Sequence, residues 1–303
     1  MSVAFLFPGQ GSQHVGMGQD LYEVEPSSRA VFDQADELLG FSLSELCFDG
    51  PEDLLTDTVN QQPALLVTAV ATWKAMEKRD WSLPDFVAGH SLGEFSALVV
   101  AGSLTFADGL ALVRRRGELM RDAGEREPGA MAAILALEVD QVEQICLEAQ
   151  EATGRPVQVA NDNCPGQVVI SGERKALQIA VELAQEAKAR KVVTLPITIA
   201  AHSALMESAA AEFASAVDAT PIMPPKMPVI GNVSGRPVTS VADIRLELKA
   251  QLTSPVRWTG SMNYLVDQGV TSVVEVGPGE VLLGLMKRIS RGTERIKYRL
   301  EEQ

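Results

Sequence analysis

Short runs that are apolar at nearly every position, flanked by turn-forming residues, recur along the chain at 3–7, 85–88, 228–233 and 272–276. A run apolar throughout, rather than at alternate positions, predicts a strand buried on both faces, as in a parallel sheet. Between these runs the period lengthens. Apolar residues return every three or four positions over 27–39, 62–78, 93–101 and 107–123, which predicts helices. Strands alternating with helices imply an α/β domain whose parallel sheet is covered on both sides.

The stretch 128–198 follows a different order. Ala130–Leu137 predicts a strand and Val139–Ala152 a helix; Val157–Ala160 and Val168–Ser171 predict a strand pair turning at Asn163-Cys164-Pro165-Gly166. Glu173–Arg190 then predicts a helix and Val192–Pro196 a strand. The order β-α-β-β-α-β is that of a ferredoxin-like unit. The expected architecture is a large α/β-hydrolase-like domain, discontinuous over 1–127 and 199–303, interrupted by a small ferredoxin-like α+β domain at 128–198. A cleft between two such units is the natural place for a ligand.

Composition narrows the class. The chain has 303 residues, 46% apolar and 22% charged, enough to bury a sizeable core. Its net charge of −14 argues against nucleic acid or an anionic membrane as partner, since both select basic surfaces. Cys47, Cys146 and Cys164 are odd in number and widely spaced, so neither a disulfide framework nor a metal site is expected, and a reducing cytoplasm fits best. The apolar stretch Val3–Phe7 lacks a basic flank and is too short for a signal peptide or a membrane span.

The candidate chemistry centres on Gly89-His90-Ser91-Leu92-Gly93, which lies between a predicted strand and a predicted helix. That is the sequence form of a nucleophile elbow, a turn so tight that the residues flanking the serine must be small. A serine hydroxyl needs a base, usually histidine. Among three histidines, His90 adjoins Ser91 and should point to the opposite face of an extended strand, and His14 sits in a Gly-rich loop that offers little to lock its ring. His202, flanked by the small residues Ala200, Ala201 and Ser203, is the candidate base. Which group orients it, the residues alone leave open.

Arg114-Arg115-Arg116 first suggests a solvated charge run, but periodicity separates the three. Arg116 lies four residues after Leu112, three after Val113, three before Leu119 and four before Met120, on the apolar stripe. Arg114 and Arg115 fall with Glu118, Arg121 and Asp122 on the polar side. An inward guanidinium requires an anion, either a structural carboxylate or a carboxylate on a substrate, which its fork binds in bidentate fashion.

These residues together resemble malonyl-CoA:acyl carrier protein transacylases and the acyltransferase domains of polyketide synthases. The resemblance runs nearly end to end: Phe7–Gln13, Gly89–Glu94, Arg116-Gly117 with Met120, Gly129–Ala133, Pro165–Gly172, His202-Ser203 with Leu205-Met206, Asn232-Val233, Gln251-Leu252 with Pro255-Val256 and Trp258, and Glu275–Gly279. It implies Ser91 as nucleophile, His202 as general base, Gln251 holding that histidine largely through a main-chain carbonyl, and the Gln10 and Leu92 N–H groups as the oxyanion hole. It further implies Arg116 and Asn232 at the substrate, with malonyl-CoA and an acyl carrier protein as partners, no cofactor beyond the coenzyme A thioester that is itself a substrate, and a monomer. The reaction implied is ping-pong, through a malonyl-serine ester, in fatty-acid or polyketide synthesis.

Some positions depart from the family pattern. Ile199-Ala200-Ala201 before the histidine, Phe95 and Ala204 leave open the width of the acyl pocket, and with it a methylmalonyl or other preference. A serine esterase or thioesterase of α/β-hydrolase type, and a non-catalytic docking subunit, remain the rival readings. An acidic carrier needs a local cationic surface, for which Lys188, Arg190 and Lys191, or Lys287, Arg288 and Arg291, are the candidates.

Overall fold

In the computed structural model, which describes residues 2–79, 81–195 and 197–300, the chain builds two sheets. The larger comprises β1 (Ser2–Phe7), β2 (Phe86–Gly89), β7 (Val229–Ile230), β8 (Pro237–Val238), β9 (Val270–Glu275) and β10 (Glu294–Lys297), in the order β10-β9-β1-β2-β7-β8. All neighbours run parallel except β8, which returns antiparallel along β7. At the centre Phe5 lies between Val87 of β2 and Val274 of β9.

The continuous apolar run of β1 reflects burial on both faces. Phe5 and Phe7 join the larger core with the helix Thr58–Lys78, while Ala4 and Leu6 face a second core containing Trp258, Met262 and Met286. Two strands differ from the sequence reading. The expected strand at 228–233 shortens to β7, because the chain turns at Gly231–Gly235 into β8 and so leaves Asn232 in the turn. Glu294–Lys297 forms an edge strand that no apolar run announces, since only part of an edge strand needs burying.

The smaller sheet is antiparallel, in the order β4-β5-β3-β6, from β3 (Gly129–Leu135), β4 (Val157–Cys164), β5 (Gln167–Glu173) and β6 (Lys191–Thr194). Its helices, Val139–Thr153 and Arg174–Glu186, cover one face through Ile134, Val142, Val159 and Ile170. The other face presents Met131, Ala160 and Val169 towards Leu195, Ile197 and Ala201. The helix expected over 173–190 ends at Glu186, and Pro196, at the end of the expected last strand, lies outside the described residues.

Several contacts lock the sheets together. Val256 N donates to Ala160 O at 2.8 Å and Asp162 N to Val256 O at 2.9 Å, forming an isolated parallel bridge. His90 Nε2 lies 2.8 Å from Asn163 Oδ1. Arg288 donates to Pro165 O and Gly166 O of the β4–β5 turn and to Gln167 Oε1. Its guanidinium is therefore committed to this junction, which weakens Lys287, Arg288 and Arg291 as a docking surface.

The helix Phe106–Arg126, which carries Arg116, packs on Thr58–Lys78 at Gly117. A Cβ there would sit 2.7 Å from Thr58 O and 3.0 Å from Val59 Cα, both backbone atoms that cannot rotate aside. For Gly117→Ala the helix-propensity gain of about 1 kcal/mol opposes an overpacking cost of about 1–3 kcal/mol. Backbone clash should win, so urea unfolding is expected to show a net loss of up to about 2 kcal/mol. A raised urea midpoint would mean that the two helices separate freely at this point.

Candidate active site

The strand β2 ends at Gly89, and the chain turns through His90, Ser91 and Leu92 into the helix Gly93–Val100. Ser91 adopts φ +50°, in the left-handed region, which costs a non-glycine residue about 1 kcal/mol or more. The turn closes only because the residues two positions to either side lack side chains: a Cβ on Gly89 would lie 1.9 Å from Gly93 C, and one on Gly93 2.0 Å from Phe7 O. Asn232 spans the elbow, its Oδ1 accepting from Ser91 N at 2.7 Å and its Nδ2 donating to Gly89 O at 2.7 Å. Asn232, expected at the substrate, braces the turn with its side-chain amide and is absent from the described cavity lining.

His202, also left-handed at φ +57°, brings Nε2 to 2.8 Å from Ser91 Oγ. Its Nδ1 lies 2.7 Å from Gln251 O and 3.1 Å from Ser254 O. Both partners only accept, so Nδ1 carries the hydrogen and Nε2 presents its lone pair to the serine. Burial, and then the Arg116 charge, push the imidazole pKa down to about 3. No carboxylate stands behind the ring among its described partners. His14 lies elsewhere, beside a separate cavity with Gly277, Pro278 and Lys297, and His90 packs edge-on against Trp258 in addition to its Asn163 bond.

Arg116 is 2% exposed and donates from all three nitrogens. Nε reaches Gln251 Oε1 at 3.1 Å, Nη1 reaches Gln62 Oε1 at 2.8 Å and Nη2 reaches Ser91 Oγ at 3.2 Å. Arg114 and Arg115 instead pair with Glu118 and Glu212 at the surface. Burial lowers the Arg116 pKa to about 10, opposed by Glu94, and the group stays charged at neutral pH. Among the described residues no carboxylate forms an ion pair with it. Gln251, fully buried, stands between Arg116 and Glu94: its Nε2 donates to the Glu94 carboxyl and to Ser91 O. Burial, then Glu247, holds the Glu94 carboxyl well above the usual range.

Gln10, Leu92, Arg116, Met131 and His202 line one cavity of about 590 Å³ between the two sheets, with Ser91 at its wall. Among the described residues no acceptor pairs with the Leu92 N–H at the start of the elbow helix. The structure thus gathers Ser91, His202, Arg116, Gln251, Gln10 and Leu92. It adds Glu94, Gln62 and Asn163, to which sequence reasoning gave no role. Glu94 did carry a signal, as a lone carboxylate within the apolar helix Gly93–Val100. Gln62 and Asn163 carried none. No group of three or more His, Cys, Asp or Glu among the described residues is placed to hold a metal ion, and no described helix is long and apolar enough to cross a membrane.

Comparison with known proteins agrees along nearly the whole chain. The sequence profile of the acyl transferase domain matches residues 4–298. The chain is 48% identical to a malonyl CoA-acyl carrier protein transacylase of Bacillus subtilis, covering 95% of this chain and 90% of that protein. It is 42% identical to the protein of the same name from Escherichia coli, covering 94% and 92%. Among solved structures it superposes on the malonyl CoA-acyl carrier protein transacylase of Coxiella burnetii with TM-score 0.95 at 40% identity, covering 98% and 93%. It also superposes on a malonyl-transacylase solved with its type II polyketide synthase acyl-carrier protein, with TM-score 0.95 at 38% identity, covering 98% and 96%.

The position of His202 fixes a pH dependence. Unfolded, it takes up a proton below about 6.5; folded, it does so only near 3. Acidification across that window therefore favours the unfolded chain, while the folded base stays neutral. Modification of Ser91 by a fluorophosphonate should accordingly proceed at nearly one rate from pH 7.5 down to pH 5. An ordinary histidine would lose about thirtyfold over that span, and a midpoint near 6.5 would show that the ring is solvated.

Proposed function

The chain belongs to the acyl transferase domain family, and on that premise we propose that the protein moves a malonyl group from coenzyme A to the phosphopantetheine thiol of an acyl carrier protein. The observation that carries this reading is the pairing of a nucleophile with an unneutralised cation. Arg116 Nη2 lies 3.2 Å from Ser91 Oγ, buried and without a carboxylate partner among the described residues. An acyl group bonded to Ser91 and bearing its own carboxylate satisfies both at once.

In the proposed first half-reaction Ser91 Oγ attacks the thioester carbonyl as His202 Nε2 takes its proton. The Leu92 and Gln10 N–H groups face the carbonyl oxygen as it gains charge. The C–S bond breaks, and coenzyme A leaves as the thiol with the proton from Nε2. In the second half the carrier thiol gives its proton to Nε2 and its sulfur attacks the ester, and Ser91 Oγ recovers the proton. The proton transfers use the existing Ser91–His202 contact, and the shared base makes the two halves mirror images. The three free cysteines suit a reducing compartment such as the cytoplasm as the place of action.

Docking of the carrier falls to Lys188, Arg190 and Lys191, exposed together between the helix Arg174–Glu186 and β6 and without ion pairs among the described residues. Changing all three to Ala should raise KM for the carrier several-fold and leave loading from malonyl-CoA alone untouched. Equal loss in both half-reactions would remove the patch from docking.

Mass spectrometry of Ser91 after mixing with malonyl-CoA or acetyl-CoA tests the main reading. Losing a buried charge partner costs about 2–5 kcal/mol, so Arg116→Ala should cut malonyl loading by about thirtyfold or more. Acetyl loading should fall much less, the residual loss reflecting the hydrogen bonds to Ser91 and Gln251. Equal loss for both acyl groups would mean that Arg116 serves the serine and not the substrate. No acyl-serine with either thioester would leave the elbow without its proposed chemistry.

A further inference from the structure

The base loop is tied to the smaller sheet by a side chain that the chemistry above does not use. Gln158, half-buried on β4, lies outside the described cavity lining. Its Nε2 donates to His202 O at 3.1 Å and to Thr253 O at 3.0 Å, and its Oε1 accepts from Ala204 N at 3.2 Å. One amide therefore joins two segments of the larger unit, the His202–Ala204 loop and the turn that follows the helix Val241–Ala250. That turn supplies Gln251 O and Ser254 O, the two acceptors of His202 Nδ1.

A tie at this point has something to oppose. His202 is held at φ +57°, a conformation an unconstrained histidine leaves readily. Ser203 Oγ donates to Ala200 O within the loop, but that bond does not reach the acceptor turn. Gln158 does, because it alternates with Val157 and Val159, which face the helix-covered core, and so projects from the opposite face of β4. The register of this strand against β5 shifts between Val159 and Asn161 and again between Asp162 and Cys164, and such bulges re-aim side chains. Beyond Gln158 these shifts let Asn161 meet the cavity and Asn163 meet His90 from the same strand.

We infer that Gln158 is a positioning residue: it keeps the His202 backbone in register with its two acceptor carbonyls, and through it the smaller sheet sets the alignment of the base on Ser91. The inference rests on the reading of Ser91 and His202 as the acylating pair. Two donors and one acceptor on a single planar group are required, so neither a carboxylate nor an aliphatic side chain can replace the amide.

Gln158→Ala and Gln158→Glu test it in single-turnover loading from malonyl-CoA. Misplacing a base by a fraction of an ångström costs about tenfold or more, so Gln158→Ala should load about tenfold more slowly at saturation, with KM for malonyl-CoA within about twofold of wild type. Gln158→Glu keeps the shape and the acceptor but turns a carboxylate towards His202 O and Thr253 O, and should be slower still. Both are compared at a temperature where circular dichroism shows each variant folded, so that lost stability is not read as lost alignment.

Fluorophosphonate modification of Ser91 reports the same alignment without malonyl-CoA and should slow in the same order. Wild-type rates in both assays, or a change confined to KM, would overturn the inference. A wild type that takes the phosphonate but no malonate would instead sink the substrate reading, and the phosphonate rates of the variants would still decide the role of Gln158.

Discussion

The Arg116 guanidinium is held by Gln62 Oε1, Gln251 Oε1 and Ser91 Oγ, oxygens of neutral amides and of a hydroxyl. Neutral acceptors satisfy its geometry but leave its charge, and burying an unneutralised charge costs several kcal/mol. The carboxyl nearest to compensating it, Glu94, is kept one residue away by the Gln251 amide, which contacts both. A direct Arg116–Glu94 pair would be more comfortable for the folded chain and would leave nothing for an incoming carboxylate. The same positive charge acts on His202, where it adds to burial in disfavouring the imidazolium. A single buried cation thus shapes both halves of the site.

Keeping that cation beside the serine demands close backbone approaches at several points. Gly117 lets the Arg116 helix meet the backbone of Thr58, and Gly89 and Gly93 let the elbow close. At Gly9 a Cβ would fall 2.3 Å from His90 O, so the Gln10 loop can lie against the elbow only without one. The strain at Ser91 and His202 is over-determined by side chains from other elements, Asn232 for the first and Gln158 for the second. Strain of this kind persists only where packing fixes it from more than one side.

How much of this was legible follows from which interactions are local. The central strands and the long helices carry periodicities that burial imposes directly, and the Gly-x-Ser-x-Gly turn and the inward Arg116 are short-range patterns. The edge strand at Glu294–Lys297 and the shortened β7 were not legible, because edge pairing and turn position depend on neighbours distant in sequence. Asn232 shows the same limit inside the site. Its place near Ser91 followed from resemblance, but whether its amide faces a ligand or the elbow depends on the turn at Gly231–Gly235. Gln62 and Asn163 are polar residues of ordinary type, and only the fold reveals that they meet Arg116 and His90.

That no carboxylate stands behind His202 among its described partners bears on the choice between transfer and hydrolysis. Carbonyl oxygens at Gln251 and Ser254 fix the tautomer as a triad acid would, but they contribute only dipoles to an imidazolium, and Arg116 opposes it. The result is a well-aimed but weak base. A thiol, with a pKa of about 8.5, yields its proton to such a base far more readily than water, with a pKa of about 15.7. A carboxylate on the acyl group, paired with Arg116, relieves part of the penalty on the imidazolium, but burial is the larger cause and remains. The Ser91 hydroxyl, which holds its proton about as tightly as water does, must yield it to the same base in the first half-reaction, so base strength alone does not separate the two outcomes. What would separate them in the second half-reaction is the nucleophile: a thiol needs little help from the base, whereas water needs as much as Ser91 does and lacks the fixed 2.8 Å contact that Ser91 Oγ has with His202 Nε2.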